Sequence, residues 1–259
     1  MRVADLILNL IFPPKCVLCG ETLVYYATTP FCPICRSRYE QEKALPCPEC
    51  GEKHELCECA SERMKRYGKA IHIGEYVKEE TAIRSMILFA KDSSYEYLYR
   101  FQASELAALV RKRLEDHEDF IVTYAPRKSS KVAKYGIDQA KETSRRVAKL
   151  LSIPHYTVLK HTESDEQKRL TAEERSKNAK RSYRLSKDAD GLIRGKRVIL
   201  YDDVVTSGAT MVACASLLKK AGAKEIVFLS VGRTYLGMGK KEAGLPKAKK
   251  GYYKSRLPY

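Results

Sequence analysis

Short apolar runs recur along the chain and are the strongest pattern in it. FIVTYAP (120–126), GKRVILYDD (195–203) and EIVFLSV (225–231) are rich in β-branched residues and stop at proline, charge or glycine. Runs of this length and composition predict strands that are buried on both faces, as in a parallel sheet. AIHIGEYV (70–77) alternates polar and apolar residues and predicts a further strand.

Four segments between and after these runs repeat apolar positions every three or four residues, which predicts helices. They are TAIRSMILFA (81–90), ELAALVRKRLED (105–116), IDQAKETSRRVAKLL (137–151) and MVACASLLKKAGA (211–223). Gly222 is expected to end the last of them as its C′ residue. Strand, helix and strand in succession predict an α/β fold, a parallel sheet with helices on both faces.

The net charge of the chain favours anionic partners but does not identify which class of anion it binds. Its 259 residues include Lys+Arg 48 and Asp+Glu 32, a formal net charge of +16. This surplus favours phosphorylated metabolites, nucleic acid or a membrane surface. No apolar run reaches the roughly 20 residues of a bilayer-spanning helix, and residues 6–12 lack the flanks of a signal peptide. We therefore expect a cytoplasmic protein without a membrane span.

Eight of the nine cysteines lie within the first 59 residues as four close pairs. Two C-x2-C pairs are typical of a zinc ribbon, in which four thiolates complete a tetrahedral site. The next two pairs, C-x2-C and C-E-C, predict a second, smaller site. Because four thiolates leave no position for substrate, we expect both zincs to be structural. The predicted ligands are Cys16, Cys19, Cys32 and Cys35 in the first module and Cys47, Cys50, Cys57 and Cys59 in the second.

His54 and Cys214 are two further residues of types that can bind metal. His54 lies within the second module and could replace one thiolate there. We expect a surface imidazole instead, because four cysteines already complete a closed site. Cys214, the ninth cysteine, falls inside a predicted helix and is expected to be a small core residue.

A polar, basic connector (61–70) follows the cysteines and indicates a domain boundary. We predict a double zinc ribbon at 1–64, a second domain at 65–238 and a basic tail at 239–259. The tail carries tyrosines among its lysines and is expected to be disordered on its own.

The stretch VILYDDVVTSGAT (198–210) begins as a buried strand and ends at the start of a helix. In an open parallel sheet the ligand crevice lies outside the carboxyl ends of the strands, where Asp202 and Asp203 stand. Two adjacent carboxylates there need a diol or Mg²⁺ as a partner. The next residues form a cradle for a monophosphate at a helix N-terminus: Thr206, Ser207, Gly208, Ala209 and Thr210. A phosphoribosyl ligand satisfies both groups, and we expect solvated carboxylates in the empty protein.

This stretch resembles the motif that binds 5-phosphoribosyl-1-pyrophosphate (PRPP) in type I phosphoribosyltransferases. The resemblance implies that Asp202 and Asp203 contact the ribose hydroxyls with Mg²⁺, while residues 206–210 hold the 5′-phosphate. Purine-salvage members carry an acid at the position of Thr206, which argues against hypoxanthine or guanine salvage here.

Members of that superfamily also bind pyrophosphate with a loop that follows an earlier strand. The loop after FIVTYAP supplies Arg127, Lys128 and Lys131, whose charge would stabilise pyrophosphate as the leaving group. The polar segment 160–183 is expected to form a lid that excludes water from the sugar.

The order of motifs resembles the ComF family, late-competence proteins with a double zinc ribbon and a phosphoribosyltransferase-like domain. The blocks that carry the resemblance are LNLIFPPKCVLCG, FCPICR, KYGIDQA, SDEQKRLTAEERSKN and VILYDDVVTSGAT. Three positions depart from the family pattern: Tyr135 replaces arginine, Asp138 replaces asparagine and Ser207 replaces threonine.

The resemblance implies two functions, which the sequence leaves open. The first is a PRPP-binding competence protein that acts in DNA uptake and natural transformation with competence partners, and that binds single-stranded DNA through its charge and tail tyrosines. The alternative is an active Mg-dependent phosphoribosyltransferase of nucleotide metabolism whose acceptor is unknown.

Overall fold

A computed structural model of the chain describes residues 13–24, 27–92, 96–162 and 182–235. The strands of this part are β1 (Ala70–Glu75), β2 (Phe120–Tyr124), β3 (Leu159–His161), β4 (Tyr183–Leu185), β5 (Arg197–Val205) and β6 (Glu225–Arg233). Four of them form a parallel sheet in the order β1-β6-β5-β2, and β3 pairs with β4 in an antiparallel hairpin. The carboxyl ends of β5 and β6 therefore lie side by side.

The described helices surround this sheet. They are α1 (Pro33–Ala44), α2 (Glu62–Lys65), α3 (Ala82–Asp92), α4 (Glu96–Arg113), α5 (Ser129–Tyr135), α6 (Gln139–Leu151), α7 (Ala189–Ile193) and α8 (Ala209–Lys220), with a 3-10 turn at His117–Asp119. Within the ranges that the structure describes, none of these helices has the length and apolar character needed to cross a membrane.

Each central strand buries side chains on both faces, which explains its almost continuous apolar sequence. On β5, Ile199 and Tyr201 belong to one apolar cluster, while Val198 and Leu200 belong to a second. Because successive strand residues point to opposite faces, the two clusters lie on the two sides of the sheet. The first contains residues of α1, α3, α4 and α6, and the second contains residues of α2, α7 and α8.

The predicted α/β fold with helices on both faces of a parallel sheet is confirmed, and several elements extend beyond their predicted ends. β5 and β6 continue to Val205 and Arg233. The helix predicted at 105–116 begins at Glu96 and ends at Arg113. Gly222 follows α8 with a φ of 88°, as expected of a C′ glycine. β1 does not alternate in burial, because both of its faces are covered.

The first cysteine module belongs to the same core as the sheet. Phe31 stacks on Tyr39 of α1 with ring centroids 5.0 Å apart, and Tyr39 meets Phe101 of α4 edge-on at 5.5 Å. All three rings are buried in the cluster that contains Ile199 and Tyr201. The chain therefore packs its N-terminal segment onto the helices of the sheet.

Glu42 of α1 is a buried carboxylate that caps α3. Its Oε1 accepts a hydrogen bond from the N–H of Ala82 at 2.8 Å, and its Oε2 accepts one from the N–H of Ile83 at 3.0 Å. Arg38 Nε donates to Oε1 at 3.3 Å. Burial raises the pKa of Glu42, which these donors and the Arg38 charge partly offset. One carboxylate thus joins α1 to the first turn of α3.

Removal of this carboxylate should destabilise the zinc-loaded protein. Glu42→Ala deprives two buried N–H groups of their acceptor, so we expect the unfolding free energy to fall by about 2–3 kcal/mol. Glu40→Ala removes an exposed carboxylate of the same helix that pairs with Arg36 and Lys43, and should cost less than about 0.5 kcal/mol. Urea unfolding measures both variants. Equal, small losses would show that Glu42 does not join the two helices.

Candidate ligand site and metal centres

The two C-x2-C loops that open the cysteine modules share one backbone geometry. The N–H of Gly20 donates to the carbonyl of Cys16 at 2.8 Å, and the N–H of Gly51 donates to the carbonyl of Cys47 at 2.8 Å. Gly20 has a φ of 79° and Gly51 a φ of 76°, in the left-handed region that favours glycine. The repeat seen in the sequence is therefore a repeat of structure.

The thiols of each module converge on a space that fits zinc. In both modules the four Sγ atoms lie within 4.8 Å of one another. Cys19 Sγ and Cys32 Sγ are 3.7 Å apart, close to the edge of about 3.8 Å in a tetrahedron with Zn–S bonds of about 2.3 Å. All nine cysteines lie within the described residues and are free thiols. The structure brings together Cys16, Cys19, Cys32 and Cys35 in one group and Cys47, Cys50, Cys57 and Cys59 in the other.

The expectation that His54 is a surface imidazole is wrong, since the residue is 1% exposed. Its Nδ1 lies 3.3 Å from Nε2 of His72 in β1, and that Nε2 lies 2.8 Å from Oη of Tyr235. Tyr235 Oη lies 3.4 Å from Cys47 Sγ. Burial lowers the pKa of His54 to about 4, so the ring is neutral at physiological pH. The second cysteine module is thus joined to the sheet by a buried polar network.

Arg233, the last residue of β6, joins the same module to the sheet through hydrogen bonds. Its Nη1 donates to the carbonyl of Cys59 at 2.7 Å, and its Nη2 donates to Glu49 Oε1 at 2.6 Å. The next N–H, of Thr234, donates to the carbonyl of Val205 at 2.8 Å. Val205 is the last residue of β5. The end of β6 therefore contacts both the second cysteine module and the strand that carries Asp202 and Asp203.

Asp202 and Asp203 lie in β5 at the edge where the sequence predicts a ligand crevice. Arg127 Nη2 donates to Asp203 Oδ2 at 2.8 Å, and Lys91 Nζ lies 3.4 Å from the same oxygen. Asp202 Oδ1 accepts from the backbone N–H of Asp203 at 2.9 Å. Both carboxylates are partly buried. The expectation that they are solvated in the empty protein is therefore wrong: two cations of the chain itself neutralise Asp203.

Asp202 remains short of positive charge. Burial, and secondly the negative charge of Asp203, raise the pKa of Asp202 to about 8, although Lys91 and Arg127 act in the opposite direction. A divalent cation, or the hydroxyl donors of a diol, would favour the ionised form. The electrostatics of the strand end thus fit a ligand that brings one or both.

Arg127 is the predicted pyrophosphate residue that reaches the acidic pair. Its backbone N–H donates to the carboxylate of Asp138, which also accepts two N–H groups in the first turn of α6 at 3.1 and 3.2 Å. Asp138, where the ComF block has asparagine, therefore fixes the loop that carries Arg127. Lys128 is the N-cap residue of α5, and the side chain of Lys131 lies outside the described part of the chain.

The predicted phosphate loop leads from β5 into α8. Thr206 and Ser207 are exposed, while Gly208 is buried and forms the N-cap of α8 with a φ of 73°. The first N–H groups of a helix have no intrahelical acceptor, and the helix dipole adds positive potential there. The Oγ of Ser207 accepts one of them, from Ala209, at 3.4 Å. The loop therefore offers N–H donors to an anion.

Residues distant in sequence support this loop. A Cβ at Gly208 would lie 2.6 Å from Met64 Sδ and 2.7 Å from Ser61 Oγ, so α2 packs directly against the glycine. On another side, the hydroxyls of Tyr183 in β4 and Thr210 are hydrogen-bonded. The phosphate loop thus lies between the connector to the cysteine modules and the hairpin that flanks the predicted lid, whose residues 163–181 lie outside those described.

Sequence reasoning missed three residues of this site: Lys91, Met64 and Tyr183. Met64 belongs to no motif, and Tyr183 is the last residue of the predicted lid segment, which gives no sign of its hydrogen bond to Thr210. Both roles come from packing between distant segments. Lys91 had one available signal, a cation that ends the apolar helix TAIRSMILFA, but such lysines are usually solvated.

The sequence model of the family described as "Phosphoribosyl transferase domain" matches residues 103–245, more than half of the chain. The chain belongs to this family. A second model, "Double zinc ribbon domain", matches residues 7–67. The phosphoribosyl transferase domain is thus preceded by a double zinc ribbon, as the sequence predicts.

Two curated relatives match most of the chain. Competence protein F of Haemophilus influenzae is 26% identical over 231 residues, 85% of this chain and 96% of that protein. Competence protein ComFC of Streptococcus pneumoniae is 23% identical over 243 residues, 85% of this chain and 100% of that protein. The resemblance to the ComF family is confirmed.

Among solved structures, one described as the allosteric regulatory enzyme of purine biosynthesis is 17% identical, with a TM-score of 0.41. The match covers 61% of this chain and 32% of that protein, so the chain spans about a third of its length.

Substitution of Gly208 tests whether the packing of α2 against the phosphate loop adds to stability beyond the cost of a left-handed φ. Gly208→Ala forces a left-handed φ on alanine and presses its Cβ on Met64, so we expect a loss of about 2–3 kcal/mol in unfolding free energy. Gly195→Ala has a similar φ of 72° with nothing within 4 Å, and should cost about 1 kcal/mol. Urea unfolding compares them. Equal losses would refute the contact with α2.

Asp202→Asn should stabilise the empty protein, and more so at high pH. A carboxyl whose pKa is raised on folding binds its proton more tightly in the folded state, so its contribution to stability is lost as pH rises from about 4 to about 8. Asparagine does not titrate and keeps the acceptor for the Asp203 N–H. We expect the gain to be about 1–2 kcal/mol larger at pH 8.5 than at pH 6.

Chemical unfolding of the zinc-loaded protein in magnesium-free buffer measures this gain at both pH values. Asp190→Asn, in an exposed position on α7, is the matched control for the loss of one carboxylate charge and should change the unfolding free energy by less than about 0.5 kcal/mol. A gain for Asp202→Asn that is the same at both pH values would contradict the buried charge.

Proposed function

We propose that the phosphoribosyl transferase domain binds PRPP with Mg²⁺ at the end of β5. One observation carries the proposal: a carboxylate pair short of positive charge is followed, within one turn of chain, by a helix N-terminus that offers N–H groups. Arg127 Nη2 lies 2.8 Å from Asp203 Oδ2, so a cation that could contact a pyrophosphate group lies beside the acidic pair. A diol, a monophosphate and a pyrophosphate on one small molecule match these three features.

The residues would divide the ligand among them as follows. Asp202 and Asp203 would accept hydrogen bonds from the ribose hydroxyls and hold Mg²⁺, and residues 206–210 would donate N–H groups to the 5′-phosphate. Arg127 and Lys128 of the loop after β2, with Lys131 from the first turn of α5, would face the pyrophosphate. Bound Mg²⁺ would neutralise part of the pyrophosphate charge.

We further propose that the protein acts in natural transformation, in the cytoplasm. The relatives named Competence protein F and Competence protein ComFC support this role, since they match 85% of the chain. The net charge of +16 supports contact with single-stranded DNA or with competence partners. A reducing compartment would keep the cysteines available for zinc. In this proposal the zinc ribbons (1–64) and the phosphoribosyl transferase domain (65–238) are followed by a DNA-binding tail (239–259).

The second candidate function is phosphoribosyl transfer to an unknown acceptor. The family name favours it, and the cations near Asp203 are suited to a pyrophosphate leaving group. Residue 206 is a threonine and has no carboxylate that could deprotonate a purine base, so a salvage reaction on hypoxanthine or guanine is disfavoured. PRPP binding without turnover and PRPP binding with turnover use the same site.

Calorimetric titration of Mg-PRPP into the zinc-loaded protein tests the proposed site. We expect saturable binding that Asp203→Ala and the shape-conserving Asp203→Asn each weaken at least about tenfold, because a charge-assisted contact is lost. Asp190→Ala, at an exposed aspartate of α7, should bind as the wild type does. No binding by the wild type, or equal binding by the Asp203 variants, would refute the site.

Single-stranded DNA as competitor in the same titration examines the link to transformation. Competition would place the nucleic acid at or near the phosphoribosyl site. DNA binding without competition would favour another surface, and deletion of residues 239–259 would then weaken it and flatten its salt dependence if the tail carries the contact.

A further inference from the structure

Lys91 brings a cation to the acidic pair from outside the motifs of the family. It lies in α3, before residue 103, where the match to the phosphoribosyl transferase domain begins. Its Nζ is 3.4 Å from Oδ2 of Asp203, the same oxygen that Arg127 Nη2 contacts at 2.8 Å. Two cations of the chain therefore share one carboxylate oxygen, and both side chains are partly buried, with Lys91 32% and Arg127 17% exposed.

Neighbouring residues of the KYGIDQA block hydrogen-bond to the backbone of both cationic residues. Asp138 accepts a hydrogen bond from the backbone N–H of Arg127. Gln139, 3% exposed at the start of α6, donates from Nε2 to the carbonyl of Lys91 at 3.2 Å. One dipeptide thus aligns the backbone at both cations, although they come from segments 36 residues apart (127 − 91 = 36).

The charges within the site would allow Lys91 and Arg127 to exchange Asp203 for a negatively charged ligand. A divalent cation at Asp203 would be repelled by Lys91 and Arg127 while they remain on the carboxylate. The oxygens of a pyrophosphate group offer the same cations a stronger partner, because that group carries several negative charges. Binding of metal and anion together would therefore let both cations leave Asp203 without any charge becoming unpaired.

We propose that Lys91 is a ligand-binding residue that Asp203 holds in the empty site and releases to the pyrophosphate group of the ligand. This inference rests on the proposed function and deepens it by assigning a second pyrophosphate cation from α3. Its consequence is specific: Lys91 opposes the binding of metal alone and favours the binding of metal with the anionic ligand. A residue with only a structural role would not change the two affinities in opposite directions.

Lys91→Met tests the exchange, because methionine keeps much of the side-chain length without the charge. Binding of Mn²⁺, a hard cation used in place of Mg²⁺, is measured by electron paramagnetic resonance on the zinc-loaded protein. We expect Lys91→Met to bind Mn²⁺ about threefold more tightly, since Asp203 loses a competing cation. Mg-PRPP, titrated calorimetrically, should bind at least about tenfold more weakly.

Two variants control for indirect effects. Lys91→Arg keeps the charge, so its Mn²⁺ affinity should equal that of the wild type and its Mg-PRPP affinity should stay within about threefold of the wild type. Lys112→Met removes a lysine that pairs with Glu55 at 3.2 Å, and should leave both affinities unchanged.

The outcomes separate this inference from the proposed function. Wild-type binding of Mg-PRPP with no change in Lys91→Met would overturn the role of Lys91 and leave the PRPP site standing. A loss of both affinities in Lys91→Met, which Lys91→Arg does not restore, would show a structural role and also overturn it. If the wild type binds Mn²⁺ but not Mg-PRPP, the proposed function fails, and unchanged Mn²⁺ binding in Lys91→Met would overturn the exchange as well.

Discussion

Two adjacent carboxylates at the end of a buried strand are the constraint on which the rest of the site depends. The sheet is covered on both faces, Asp202 and Asp203 are partly buried, and their charges repel each other. The chain meets this cost with Arg127 and Lys91, which come from the loop after β2 and from α3. Burial, and secondly the charge of Asp203, still raise the pKa of Asp202, so its ionised form lacks a partner that offsets both effects. In our proposal, Mg²⁺ and the ribose hydroxyls of PRPP supply it.

The double zinc ribbon supports this strand end rather than standing apart from it. Met64, just after the second module, packs against the glycine at the N-cap of α8. Arg233 bonds to the second module, and the adjacent Thr234 bonds to the end of β5. On the first module, Glu42 caps the helix that carries Lys91. The four-cysteine centres therefore fix segments that contact the phosphate loop and the acidic pair, which is a structural use for metals whose closed thiolate sets leave no position for substrate.

Local patterns predicted the four strands of the parallel sheet, four of the eight described α-helices, the cysteine groups and the positions of the acidic pair and phosphate loop. These features depend on residues that are neighbours in the chain: apolar runs for strands, C-x2-C spacing for knuckles, and two acids before a glycine loop. Lys91, His54 and Tyr183 could not be placed in this way, because each takes its environment from a distant segment. His54 is buried only because the second module packs on β1 and the end of β6. The solvated state expected for the aspartates was wrong for the same reason, since their cations lie 76 and 112 positions from Asp203 (203 − 127 and 203 − 91).

The most direct test of this account is a crystal structure of the zinc-loaded protein with Mg-PRPP. The account predicts ribose hydroxyls on Asp202 and Asp203, the 5′-phosphate on the N–H groups of residues 206–210, and Arg127 moved from Asp203 to the pyrophosphate. A ligand bound elsewhere, with the Arg127–Asp203 ion pair intact and the phosphate loop empty, would contradict it.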